Sequence, residues 1–129
     1  MARNDFDPAT VKPDGRPAAQ ARLFDAAADG PWRGSVDGIA IGGQVTVLAY
    51  GTDTLGAGPR LHVHPYDETF IVVEGRARFF VGDTTIDAAA GEVVLGPAGV
   101  PHRFENLGPG RLQTVDIHHS PRWIQTDLD

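Results

Sequence analysis

Short stretches in which apolar and polar residues alternate follow one another along the chain from Ser35 onward. They read VDGIAI, QVTVLAY, LHVH, ETFIVVE, ARFFV, TTIDA, EVVLG, HRFEN and LQTVDIHH, and glycine, proline, asparagine or aspartate fills most of the joints. A period of two predicts strands, and many short strands at even spacing are typical of an all-β sandwich or barrel. The pattern contains no strand–helix–strand unit of the kind that predicts a parallel α/β fold.

This pattern divides the chain into three parts. We predict an N-terminal arm over residues 1–34, a barrel over residues 35–119 and a C-terminal tail over residues 120–129. In the arm, the stretch AAQARLFDAAAD favours a short helix with Leu23, Phe24 and Ala27 turned inward. In the tail, the segment around Trp123 is expected to pack over an edge of the barrel.

Two details of the central stretches sharpen the strand assignment. Val81, Gly82 and Asp83, between ARFF and TTID, predict a tight hairpin. Phe79 and Phe80 are adjacent, and successive side chains of a strand point to opposite faces, so only one of the two rings can lie in the core.

The composition limits the classes of function. Hydrophobic residues make up 41% of the 129 residues, which suits a single globular domain. The net charge of −6 argues against a nucleic-acid or anionic-membrane partner, and the absence of cysteine excludes disulfides and thiolate chemistry. Because the apolar runs are too short for a membrane span and the N-terminus lacks a signal-peptide core, a cytoplasmic location is expected.

Two of the five histidines, His62 and His64, lie one residue apart in the predicted strand LHVH. Residues two apart in a strand share a face, so both imidazoles point the same way. Pro65 favours a bend, after which Glu68 can fold back toward them. Two imidazoles and a carboxylate form a ligand set for a divalent metal, and the alternative is a pair of surface histidines beside a solvated acid.

A third histidine, His102, opens the predicted strand HRFEN after a turn rich in glycine and proline. The alternation puts His102, Phe104 and Asn106 on one face of that strand. The remaining two, His118 and His119, are adjacent in the last predicted strand and face opposite sides, so at most one of them can enter a pocket.

These residues stand at spacings that closely resemble the two sequence motifs of the cupin family. The first motif is present as Gly56, His62, His64, Glu68 and Gly75, and the second as Gly91, Pro97, Gly99, His102 and Asn106. Residues 76–90 between the motifs resemble the short intermotif segment of small microbial members. The resemblance covers the predicted barrel and leaves the arm and the tail unexplained.

The resemblance implies a cupin-type antiparallel β-barrel, a double-stranded β-helix or jelly roll, and a homodimer. It also implies a divalent transition metal (iron, manganese, nickel or zinc) held by His62, His64, Glu68 and His102. No other cofactor is expected. Asn106 is expected to start the turn NLGPG and not to contact a ligand, because asparagine readily initiates turns.

Four protein ligands on an octahedral metal keep two neighbouring positions open for oxygen atoms of a substrate, water or dioxygen. Three classes of function follow. The first is a small metalloenzyme, a dioxygenase or an isomerase or lyase, acting on an oxygen-ligating small molecule. The second is a non-catalytic module that binds a sugar or carboxylate, and the third is a structural barrel. No residue is assigned a catalytic role, because no second general base stands out in the sequence.

Overall fold

The computed structural model describes residues 2–129, which form ten β-strands and two single-turn 3-10 helices. The strands are β1 (Gly34–Val36), β2 (Thr46–Thr52), β3 (His62–Val63), β4 (Glu68–Glu74), β5 (Arg76–Val81), β6 (Thr84–Ala89), β7 (Val93–Gly96), β8 (His102–Asn106), β9 (Leu112–His118) and β10 (Thr126–Asp127). The 3-10 helices span Pro8–Thr10 and Gly38–Ala40. This confirms the predicted all-β class. Within residues 2–129, no helix is long and apolar enough to cross a membrane.

The strands form two five-stranded sheets with antiparallel pairing. The first sheet has the order β1-β2-β9-β4-β7 and the second the order β10-β3-β8-β5-β6. Apart from β1–β2 and β5–β6, every connection between successive strands crosses from one sheet to the other. Two facing sheets linked in this way form the predicted jelly roll, and β3, β8, β4 and β9 lie at its centre.

The core between the sheets is built on three phenylalanine rings. Phe70 of β4 lies 5.0 Å from Phe79 of β5 and 5.8 Å from Phe104 of β8, measured between ring centroids. Val72 and Leu112 are fully buried around them. Tilted and edge-on contacts at these distances add to the hydrophobic stabilisation of a packed core.

The hairpin between β5 and β6 has the predicted form. Val81 pairs with Thr84, which leaves Gly82 and Asp83 as a two-residue turn, and Gly82 has a φ of 57°. The alternation in β5 places Phe79 in the core, whereas Phe80 faces outward under the guanidinium group of Arg103. The prediction that only one of the two rings is buried is therefore confirmed.

The prediction of a strand over VDGIAI is wrong beyond Val36, where β1 ends. Gly38 begins a 3-10 helix there, and its N–H donates to the Thr46 hydroxyl at 3.1 Å. A Cβ atom at Gly38 would lie 2.4 Å from the carbonyl oxygen of Val45, so the chain approaches itself too closely for any other residue. The tight turn interrupts the alternation that the sequence suggested.

The helix favoured over residues 18–29 is also absent from the structure, where this stretch consists of extended chain, bends and turns. The Asp25 carboxylate accepts from the N–H of Ala27 at 3.0 Å, an arrangement that competes with helix formation. The ring of Phe24 stacks on Trp32, with centroids 4.6 Å apart. Local side-chain bonding and this aromatic contact outweigh the helix propensity of the alanines.

The last strand, β10, was not predicted from the sequence. Thr126 pairs with Val63 and Asp127 with His62, so residues of the predicted tail extend the second sheet along β3. The N–H of Leu128 donates to the carbonyl of Leu61 at 2.8 Å and continues this pairing. The segment just before β10 therefore lies directly over the predicted ligands His62 and His64.

Candidate metal centre

Four buried side chains meet where β3 and β8 of the second sheet face the start of β4 in the first. His62 opens β3, His64 follows that strand, Glu68 opens β4 and His102 opens β8. One nitrogen or oxygen atom of each lies within 4.8 Å of those of the other three. The structure thus brings together all four residues that the sequence analysis assigned to a metal.

The local sequence explains this convergence. His62 pairs directly with His102 across β3 and β8, and the period of two keeps the His64 ring beside them. A bend at Pro65 and Tyr66 then carries the chain into the other sheet. The turn before His102 is tied to the first motif, because the N–H of Gly99 donates to the carbonyl of His64 at 2.9 Å.

Each of the three imidazoles is oriented by a backbone carbonyl next to its Nδ1 atom. The carbonyls belong to Arg60 for His62, Ile124 for His64 and Val100 for His102, and the last two contacts measure 2.7 and 3.1 Å. A neutral imidazole that donates its Nδ1–H to a carbonyl has a lone pair on Nε2. Proteins orient metal-binding histidines in this way.

The Nε2 atoms point to the Glu68 carboxylate. Oε1 of Glu68 lies 2.9 Å from Nε2 of His64 and 3.1 Å from Nε2 of His102. Among the described residues, the buried Nε2 of His64 has no partner in hydrogen-bond geometry. A lone pair and a carboxylate oxygen at this distance repel each other unless a proton or a cation lies between them. These donors therefore fit a divalent cation.

The charge states at the cluster suit a cation as well. Burial acts to raise the pKa of Glu68, but the close imidazoles of His102, His118 and His64 outweigh it, and the net pKa lies well below its ordinary value. Burial lowers the pKa of the His62 imidazole. An ionised carboxylate and a neutral imidazole are the forms that bind metals.

A further imidazole, His118 of β9, contacts the cluster, whereas the sequence alone leaves open which of His118 and His119 points inward. His118 lies opposite Glu68 across β9 and β4, with its Nε2 3.2 Å from Oε2 of the carboxylate. Its Nδ1 lies 2.6 Å from the Tyr66 hydroxyl, which accepts from the N–H of Ile124 at 3.0 Å. The single proton of this hydroxyl has two acceptors in reach, Nδ1 and the Ile124 carbonyl at 3.1 Å, and that carbonyl already accepts from His64. We therefore assign the proton to Nδ1, so that neutral His118 carries its own proton on Nε2 and donates to Glu68. This tautomer is the opposite of that of the other three, so His118 holds the carboxylate in place.

We expect His118→Ala to retain one metal per chain at saturating metal while its metal affinity falls by about 10- to 100-fold, because outer partners of ligands have effects of this size. Calorimetric titration with zinc measures both quantities. His119→Ala is the matched control, since His119 points outward and its Nε2 lies 2.9 Å from the Thr69 hydroxyl. Loss of all bound metal in His118→Ala would contradict the assigned role.

Two other positions of the family motifs have structural roles. Oδ1 of Asn106 accepts from the N–H of Gly108 at 2.8 Å, and its Nδ2 donates to the carbonyl of Gly110 at 2.9 Å, so the predicted turn role of Asn106 is confirmed. Gly75 has a φ of 81°, and a Cβ there would lie 2.2 Å from the carbonyl oxygen of Arg111. This turn requires glycine.

A largely apolar cavity of about 340 Å³ adjoins the cluster, and His62 and Glu68 form part of its wall. The rest of the wall includes Leu48, Tyr50, Phe70, Phe104, Trp123, Arg33 and Asp116. Trp123 comes from the segment before β10, and Arg33 from the end of the predicted arm. A small molecule in this cavity can reach the cluster while most of its surface is shielded from water.

Comparison with known protein families identifies a match over most of the chain. A model of the Cupin domain family matches residues 40–118. An uncharacterized protein of Streptomyces coelicolor is 48% identical over 44 residues, which are 34% of this chain and 42% of that protein. The chain therefore matches less than half of the length of this curated relative.

Solved structures of oxalate decarboxylase from Bacillus subtilis share the fold. One, determined at pH 4.6, has a TM-score of 0.69 and 22% identity over 84% of this chain and 30% of that chain. Another, described for its Mn(II) centers, has a TM-score of 0.69 and 22% identity over 80% of this chain and 29% of that chain. At this identity the likeness establishes the jelly-roll fold, and the chain spans under a third of those enzymes.

Proposed function

The chain belongs to the cupin family, and we propose that it binds a divalent metal through His62, His64, Glu68 and His102 and acts on a small oxygen-bearing molecule in the adjoining cavity. The reaction we propose is oxygenase or isomerase/lyase chemistry. The observation that carries the proposal is a set of three imidazoles and one carboxylate around a single point in the wall of an apolar cavity.

A divalent metal bound at this point would polarise a substrate oxygen and, if redox-active, support dioxygen chemistry. The chain's own residues orient and insulate the site. Backbone carbonyls fix the three imidazoles, and His118 fixes the carboxylate. The apolar wall excludes water, which strengthens electrostatic interactions inside it. Iron, nickel, zinc and manganese all suit this donor set, and the Mn(II) centers of the structurally similar decarboxylase favour manganese as the first metal to test.

The second candidate is a module that binds a sugar or carboxylate without turnover. It is favoured by the few ionic side chains in the cavity wall. Outside the histidine and glutamate cluster, the charged residue types among the described lining residues are Arg33 and Asp116. An apolar wall with few proton-transfer groups suits binding as well as it suits chemistry.

Reconstitution of metal-free protein with manganese, iron, nickel or zinc separates these functions. The reconstituted forms are incubated with small carboxylates and diketones, with and without air. An oxygenase consumes dioxygen with iron or manganese and is inactive with zinc, whereas an isomerase or lyase retains turnover with several metals, since it needs only Lewis acidity. Ligand-induced shifts of the melting curve without turnover in any metal form would make the binding module the better answer.

Glu68→Gln is expected to weaken metal affinity and to change turnover differently in the two enzyme classes. The substitution nearly keeps the shape of the side chain but removes the negative charge that faces the cation. In an oxygenase it alters the redox behaviour of the metal and lowers dioxygen consumption. Metal affinity and turnover equal to those of the wild type would exclude Glu68 as a ligand.

We also propose a homodimer formed through the outer face of the first sheet. Strand β7 is an edge of that sheet, and Val93 and Leu95 on it are 64% and 52% exposed. Val73 at the end of β4 is 52% exposed, and Ile71 pairs with Val93 on the same outer face. An apolar face beside a free edge favours burial against a second copy.

Sedimentation of wild type and Leu95→Glu at micromolar concentration tests the dimer. The wild type is expected to sediment as a dimer and the variant as a monomer with an unchanged circular dichroism spectrum, since a charge in the centre of an apolar interface is costly to bury. Thr85→Glu is the matched control, because Thr85 is an exposed strand residue of the other sheet. A monomeric wild type would remove the dimer from the account.

A further inference from the structure

Asp116, on β9, is a buried carboxyl group that the metal centre does not use. It is 3% exposed and lines the cavity beside the cluster. Its Oδ2 lies 3.1 Å from the Thr114 hydroxyl, whereas its Oδ1 has no hydrogen-bond partner among residues 2–129. Leaving a buried polar atom unpaired costs more free energy than an ordinary hydrogen bond contributes, so its position calls for a partner from outside the chain.

The orientation of β9 turns the Asp116 carboxyl toward the cavity and away from the outer surface. Thr114, Asp116 and His118 share the inward face, while Val115 and Ile117 take the outward face. This is the reverse of the alternation that a strand with one buried face normally shows. The inward face of β9 is thus polar at the positions that border the cavity.

No neighbouring cation of the described chain neutralises Asp116. Arg33 is also in the cavity wall, but its Nε donates to the Gly51 carbonyl at 2.8 Å and its guanidinium lies over the Tyr50 ring at 4.5 Å. Burial, and secondarily the charge of Glu68, raise the pKa of Asp116 well above its ordinary value. A neutral carboxyl can donate as well as accept a hydrogen bond.

We propose that Asp116 is the ligand-recognition residue of the cavity, where its Oδ1 pairs with a hydroxyl group of a small, otherwise apolar molecule. This inference rests on the proposed function, because that molecule would lie between Asp116 and the metal centre. A hydroxyl both donates and accepts, so it satisfies Oδ1 whichever oxygen of the carboxyl carries the proton. Leu48, Phe70 and Phe104 supply apolar walls that suit an aromatic or branched aliphatic body. The ligand class is therefore a phenol or a compact alcohol, with a second oxygen for the metal in the natural substrate.

Phenol and toluene are matched probes, because they differ in a hydroxyl against a methyl group. Dissociation constants are measured by ligand-detected NMR titration on zinc-loaded, untagged protein. Phenol is expected to bind the wild type about fivefold more tightly than toluene, which corresponds to one ordinary hydrogen bond. Asp116→Asn, which keeps a donor and an acceptor at the same place, should retain part of this preference.

Asp116→Leu is the decisive variant, since leucine has a similar branched shape without polar atoms. It should bind phenol no more tightly than toluene, and it should melt at a higher temperature than the wild type because it removes an unpaired buried group. Equal affinities in the wild type, no measurable phenol binding, or a phenol preference that survives in Asp116→Leu would overturn the inference. Zinc content is measured in the same samples: loss of zinc counts against the proposed metal site, whereas full zinc content without a phenol preference counts against Asp116 alone.

Discussion

His102→Ala is expected to lose most of its bound divalent metal and nearly all of the stabilisation that metal gives to the wild type. His102 is the only one of the four proposed ligands that comes from the second motif. Removing a partner that merely orients a ligand lowers affinity by about 10- to 100-fold, so deleting the ligand itself should lower it by more than about 100-fold. At free metal 100 times the wild-type dissociation constant, metal stabilises the folded wild type by about 2.7 kcal/mol.

Metal content and melting temperature are measured on protein without a histidine tag, in metal-free and metal-loaded form. The comparison within each variant matters, because the alanine also removes an edge-on contact with Phe70, whose ring centroid lies 5.4 Å from that of His102. The metal-free melting temperature therefore drops for reasons of packing alone. The difference between the two forms should vanish in His102→Ala and persist in His119→Ala. Unchanged metal content in His102→Ala would refute the ligand assignment.

Phe79→Ser is expected to destabilise the fold by about 3–5 kcal/mol, the range for removing a buried phenylalanine. The Phe79 ring is fully buried, and its centroid lies 5.0 Å from that of Phe70 and 5.1 Å from that of Phe104. Serine leaves a cavity at the centre of the core and adds a hydroxyl that must find a partner there. Because small domains are stable by only about 5–15 kcal/mol, this loss removes a large part of the total.

Phe80→Ser is the matched control for this prediction. Phe80 faces outward, and the Arg103 guanidinium lies 4.1 Å from its ring centroid, so the loss is a cation–π contact and partial burial worth about 1 kcal/mol. Urea denaturation of the metal-free proteins gives both free energies of unfolding. Similar losses at the two positions would mean that the faces of β5 are assigned wrongly.

Much of the strand order could be predicted from the sequence because the signals are local. The segments from QVTVLAY to LQTVDIHH correspond to β2 through β9, and Gly82 and Asp83 form the predicted hairpin turn. The four proposed ligands were identified because the spacing of both motifs is itself a local property of the chain. The strand prediction over VDGIAI failed because the backbone at Gly38 passes close to Val45. The alternation of apolar and polar residues carries no information about such a contact.

The polar groups of β9 could not be placed in the same way. In LQTVDIHH the apolar Val115 and Ile117 suggest the inward face, whereas the structure turns Asp116 and His118 inward. The register of β9 against its two neighbours, β2 and β4, decides this, and register is set by pairing over more than 35 residues of intervening chain. The one signal in the sequence was that Asp116 and His118 are polar, lie two residues apart and therefore share a face of the strand.

The segment before β10 is a second nonlocal contribution. The Ile124 carbonyl is 2.7 Å from Nδ1 of His64, sixty residues earlier in the chain, and the same residue bonds the Tyr66 hydroxyl. Nothing in the composition of PRWIQ predicts that its backbone orients one of the proposed metal ligands. The contact exists because Thr126 and Asp127 pair with β3 and hold this stretch over the cluster.

X-ray absorption at the metal edge of untagged, manganese- or zinc-loaded protein tests the metal centre most directly. We expect a first shell with three imidazole nitrogens and one carboxylate oxygen, the remaining ligands being water, at distances of about 2.0–2.2 Å. The imidazole signal should fall to two rings in metal-loaded samples of His62→Ala or His64→Ala that retain metal. A first shell of oxygen atoms alone, or fewer than three imidazoles in the wild type, would contradict the account.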